Sequence, residues 1–175
     1  MKKLVYLFII AAVVITAACG KKLTATEYNN KIINEQSKVL DLVLDFNAKI
    51  DQDSFAQARI LLDKTGVQCD SSIKTIEALG DFDGDSAFKN AAIDLFKFYK
   101  RVFAQDYKEL LDIVEMSEPT EEDYLHAEEI VKKIEDEEKV VDDKIQLTQK
   151  AFADKHNVKI TDNSLQEKID NIEKE

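Results

Sequence analysis

Four glycines and one proline are all that 175 residues contain, against average usages of roughly 7% and 5%. Glycine supplies the left-handed backbone of tight turns, and proline presets their corners. A chain so poor in both cannot make the frequent reversals of a sandwich or barrel. What remains is rich in Ala, Leu, Lys, Glu, Asp and Ile in long unbroken stretches, which predicts an all-α fold of a few long helices.

Four such helices are legible. The first begins at a capping box, Thr24 with Glu27, and carries an apolar stripe through Tyr28, Ile32, Val39, Val43, Phe46 and Ile50, interrupted by Gln36, expected as a paired buried amide. The second is capped by Asp53-Ser54 and continues through Ala58, Leu61, Leu62, Thr65, Cys69, Ile73, Ile76 and Leu79, with Gly66 as a point where it could break or bend. Cys69 falls in this apolar register, as a small buried hydrophobe rather than a reactive thiol would. The segment Gly80 to Ser86 ends that helix. A third, from about Ser86 to Met116, is unusually aromatic, with Phe88, Phe96, Phe98, Tyr99, Phe103 and Tyr107, and should be the most buried. Pro119 starts the fourth, where its missing donor costs nothing. Ala127, Val131, Ile134, Glu138, Val141, Ile145, Thr148 and Phe152 then form a coiled-coil-like seam.

Short breaks between four helices predict an antiparallel up-down four-helix bundle. A short C-terminal helix from Asn163 or Ser164, with Leu165, Ile169 and Ile172 on one side, would follow. The expected organisation is a signal peptide over 1–18, an N-terminus and linker over 19–24, the bundle over 25–155 and a tail over 156–175.

The N-terminus is an address. Lys2 and Lys3 form a charged region, Leu4 to Ile15 an apolar one, and Thr16-Ala17-Ala18 supply the small residues that a signal peptidase needs before Cys19. The ordinary peptidase cut would release a soluble protein in which Cys19 and Cys69 could pair. An uncleaved membrane helix is the remaining reading, but the apolar run stops short of the ~20 residues a bilayer span needs.

Small residues followed by cysteine resemble the lipobox of bacterial lipoproteins, departing from it at Thr16, where an aliphatic residue is commoner. The resemblance covers Thr16 to Cys19 and implies cleavage between Ala18 and Cys19, with acylation of Cys19. Each buried methylene contributes about 0.8 kcal/mol, so two or three acyl chains hold a domain at a membrane essentially permanently. The residue after the cysteine is Gly20 and not aspartate, which in this resemblance implies an outer membrane. The face of that membrane is not written in the chain.

A signal peptide takes with it two of the 24 basic residues and none of the 35 acidic ones, leaving 157 residues with 22 bases, 35 acids and a net charge of −13. One ordinary domain fits that length. Its charge is repelled by phosphate backbones and anionic head groups, so nucleic acid is excluded as a partner.

Chemistry-bearing motifs are few. Asp81, Asp83 and Asp85 begin like a calcium loop, but Ser86 stands where glycine is needed and Ala92 where a bidentate glutamate is needed; they are weak metal candidates. A di-iron bundle site requires two Glu-x-x-His motifs. His126 has Asp123 three residues before it and His156 has Ala153, so both histidines read as surface residues near helix ends. Phosphate loops, nucleophile elbows and zinc-spaced cysteine pairs are missing, and no cofactor is called for. An apolar pocket among Phe88, Leu95, Tyr99 and Phe103 is the candidate ligand site.

A lipobox-like start before an acidic helical domain is similar to the helical surface lipoproteins of bacteria; Tyr28-Asn29-Asn30 with Gln36, and Phe96-Lys97-Phe98-Tyr99, are further marks of that resemblance. It implies a lipid-anchored envelope protein that is a non-catalytic binding or structural module for another envelope or extracellular protein. A carrier of a small apolar ligand is the alternative, and a metal-dependent bundle enzyme the least supported.

Overall fold

A computed structural model describes residues 22–160; the signal peptide, Ala18, Cys19 and the expected C-terminal helix lie outside the described residues. Five helical segments follow one another: α1 (Ala25–Asp51), α2 (Phe55–Glu77), α3 (Ala87–Ala104), α4 (Asp106–Val114) and α5 (Glu121–His156). Among the described residues there is no strand, only a single bridge between Phe82 and Asp85, and no helix is long and apolar enough to cross a membrane. The fold is all-helical and bundle-like.

The expected first start is present. Thr24 Oγ1 accepts from the Glu27 N–H and the Glu27 carboxylate accepts from the Thr24 N–H at 2.8 Å, so two orphan donors are satisfied reciprocally. A second capping box at Thr120 and Asp123 starts α5. Pro119 therefore lies before the cap, and not in the first turn as expected. Ser54 does precede α2, but makes no side-chain cap bond; its hydroxyl donates to the Gln52 carbonyl instead. Helix α2 runs without interruption through Gly66. The amide of Gln36 is not fully paired, its Oε1 being buried without a hydrogen-bond partner.

The expected third helix is two helices. It breaks at Gln105, beyond which Asp106 turns inward and is buried at the first position of α4. Arg101 and Lys133 both donate to its carboxylate, Lys133 at 2.9 Å, and the α4 N-terminus adds favourable dipole there. Arg101 also pairs with Glu137. Beyond the break α4 packs against α3, α5 and α2.

Helix α1 packs along α2, α2 along α3 and α3 along α5, while α1 and α5 touch over only a short stretch. The interior divides into two apolar clusters. One gathers Tyr28, Ile32, Phe82, Phe88, Leu95, Phe96 and Phe152; the other gathers Phe46, Leu62, Phe98, Phe103, Leu111, Ile130 and Ile134. In the first, Phe152 of α5 meets Tyr28 of α1 at 5.5 Å, Phe82 at 5.3 Å and Phe88 at 5.6 Å between ring centroids. The Gln149 side-chain amide donates to Asn29 Oδ1 at 3.0 Å, so the start of α1 is sewn to the end of α5. Val158 is buried in the same cluster, which carries the packed body beyond the expected limit at residue 155.

Candidate functional site: an apolar groove

At the other end of α1 the seam with α5 is not sewn, and α4 lies behind it. The result is a groove of about 640 Å³. Leu44, Asn47 and Ile50 of α1 form one wall, Ala127 and Val131 of α5 the other, and Tyr107, Leu110 and Val114 of α4 the floor. Adjacent apolar residues explain the lining. Phe46 turns inward as part of the core stripe, so Leu44 falls on the flank; in α5 the buried residue is Ile130, which leaves its neighbour Val131 facing out. The expected seam had assigned Val131 to the core.

The floor is braced from three sides. Tyr107 packs against Phe46 at 5.1 Å and Phe103 at 4.9 Å. Burial, with the nearby carboxylates of Glu138 and Glu135, raises the Tyr107 hydroxyl above its ordinary range, so it remains a neutral group near pH 7. Arg59 of α2 donates to Asp112 at 2.6 Å and from Nε to Glu115 at 2.8 Å, tying the far end of α4 down. His126 of α5 stands 2.8 Å from Glu109 of α4, a pairing that raises the imidazole above its usual range. His126 is a surface residue, as expected.

The groove opens onto a further depression across α5, lined by Tyr124, Glu128, Lys132, Glu135 and Asp136 and sharing Ala127 and Val131. Val114, Tyr124 and Val131 are all substantially exposed here, Tyr124 at 58% and Val114 at 56%. Apolar surface concentrated in this way marks an interaction site more often than scattered single residues do.

The four residues expected to line a pocket lie elsewhere. Phe88 and Leu95 belong to the first cluster, Phe103 to the second, and Tyr99 packs against both. Phe88 and Phe103 are each 1% exposed. Tyr99 donates to Glu138 Oε1 at 3.1 Å, which gives the polar residue in the α5 seam a structural partner; burial raises the Glu138 carboxyl above its ordinary range.

The three aspartates of the loop after α2 face three different lysines. Asp81 pairs with Lys89, Asp83 with Lys22, and Asp85 with Lys155 at 2.8 Å. Lysine hydrogen bonding holds the Asp83 and Asp85 carboxyls below their ordinary range. Among the described residues no group of three or more His, Cys, Asp or Glu side chains could hold a metal ion. Backbone explains the segment: Phe82 and Asp85 exchange both hydrogen bonds around Asp83 and Gly84, each with positive φ, which makes a two-residue type I′ turn. His156, expected at the surface, is instead half-buried with its ring 4.8 Å from Phe82 and 4.7 Å from Phe152.

Cys69 is fully buried and has no disulfide partner among the described residues. Burial first, and Asp70 second, push its thiol up to about 12, so it holds no nucleophilic thiolate near neutral pH. Compared with known proteins, the chain matches no protein-family model, no curated protein and no solved structure.

Proposed function

We propose that this chain is a bacterial lipoprotein, cut before Cys19 and held at an outer membrane by acyl chains on that residue. Its helices form an antiparallel up-down bundle that serves as a non-catalytic binding module for another envelope or extracellular protein. The antiparallel arrangement is supported by the Tyr28 hydroxyl at the start of α1 donating to the Gly80 carbonyl after α2, and by the junction of that same start with the end of α5.

The observation that supports the functional reading is the placement of the groove relative to the start of α1. Cys19 lies just upstream of Ala25, where α1 begins, whereas the groove uses the last two turns of α1. At 1.5 Å per residue, these are about 30 Å apart along the helix. A domain tethered by the start of α1 carries its exposed apolar surface at the membrane-distal end, where another protein can reach it.

Replacing Cys19 by Ala tests the anchor. The substituted chain should lose its acyl label and leave the membrane fraction while keeping its helical circular dichroism, because Cys19 precedes the packed helices. Continued fractionation with the membrane would contradict the reading.

A further inference from the structure

The groove has a defined shape, and its charge restricts what fits it. Its α1 wall and α4 floor each extend over about two helical turns, from Leu44 to Asp51 and from Tyr107 to Val114, or about 10 Å. That length matches two to three turns of an incoming helix, whose apolar anchors recur at i, i+3, i+4 and i+7. The groove and its adjoining depression are lined by four acids, Asp51, Glu128, Glu135 and Asp136, against one base, Lys132. The nearby Asp112 and Glu115 are already answered by Arg59.

We propose that this groove receives an amphipathic helix with basic flanks, belonging to a partner protein. Leucine-like side chains of that helix would cover Leu110, Val114 and Val131, and lysines or arginines at its edges would face the four acids. Charge of this kind contributes chiefly to selection of the partner and to the rate of encounter. The same acids disfavour two other occupants, since a second copy would bring its own acidic rim and an anionic membrane surface would be repelled.

This inference rests on the reading of the chain as a binding module, but not on the anchor. The test uses the full-length protein in discs of zwitterionic lipid, with empty discs as reference; if the chain proves unlipidated, the same titration is made in buffer. Failure of the anchor and failure of the groove are thus read separately. The probe is a labelled 18-residue designed peptide with leucine at the i, i+3, i+4, i+7 positions and lysine elsewhere, followed by fluorescence anisotropy. A scrambled peptide of the same composition and a version with glutamate in place of lysine are its controls.

The expected result is saturable binding of the lysine peptide, at least tenfold stronger than of either control. Val131→Lys and Val114→Lys, both at exposed positions, should each weaken it at least tenfold, while Val67→Lys on α2, 71% exposed and away from the groove, should leave it unchanged. No binding, or equal binding of the scrambled peptide, would overturn the proposal, as would indifference to both groove substitutions. Equal binding of the glutamate peptide would refute the charge argument. Concentration-dependent self-association abolished by Val131→Lys would assign the groove to a second copy, and displacement of the peptide by a small apolar compound that also raises Tm would assign it to such a ligand.

Discussion

Truncating Phe152 to Ala should unfasten the end of the molecule nearest the N-terminus. The ring is 3% exposed and lies within 5.6 Å of the rings of Tyr28, Phe82, Phe88 and His156. It thus joins α5 to α1, to the loop after α2 and to α3. Removing a buried phenylalanine costs about 3–5 kcal/mol, and aromatic pairs contribute about 0.5–1.5 kcal/mol beyond their buried area, so the upper half of that range applies. For a domain of this size about 3 °C of Tm accompanies each kcal/mol, which sets the expected fall at about 12–15 °C. Leu147→Ala is the matched control, because Leu147 lies on the same helix but is 69% exposed and should change stability by less than about 0.5 kcal/mol. Urea titration followed at 222 nm measures both, and hydrogen exchange should show faster opening at the end of α5 than at its start. A loss below about 1 kcal/mol for Phe152→Ala would refute the cluster.

Other consequences are open to direct measurement. Burial raises the folded pKa of Glu138, so the unfolded chain ionises first as pH rises and stability is lost from about pH 4.5 upward; Glu138→Gln should retain the Tyr99 hydrogen bond, flatten this loss and raise Tm at pH 7, and an unchanged pH profile would contradict it. Cys69 should resist iodoacetamide in native buffer at pH 8 and react fully in denaturant, and rapid native labelling mapped to its peptide would show the thiol is accessible. Thr24→Ala should cost about 0.5–2 kcal/mol through loss of the α1 capping box, and a variant within error of the parent in urea would show that box to be dispensable. Gly84→Val should destabilise by about 1–3 kcal/mol, because φ of +79° is strained for any branched side chain; retention of full stability would mean that the turn relaxes freely.

What was legible in the sequence were features whose cause is local. The Thr24 and Glu27 pair lies within one turn, and the apolar positions from Tyr28 to Phe46 repeat at helical spacing, so both could be read before any packing was known. The break at Gln105 could not, because no glycine or proline marks it; it accompanies burial of Asp106 against Lys133, 27 residues away. Asp81 to Asp85 looked like the start of a calcium loop because composition suggested it. The Asp83-Gly84 pair was the better local signal, for a tight turn, and the lysines that answer these acids include Lys22 and Lys155, 61 and 70 residues distant. The groove was missed for a related reason. Ile130 and Val131 are equally apolar, and the packing of α5 against the other helices decides that Ile130 is buried while Val131 faces outward.

The central claim is an anchored module that holds its groove away from the membrane, and the mature N-terminus tests it most directly. Intact-mass and peptide spectrometry of the protein purified from the membranes of a lipoprotein-processing bacterium should find a chain beginning at Cys19 and carrying acyl chains on that residue. A chain that begins elsewhere, or an unmodified Cys19 thiol at its start, would contradict the account.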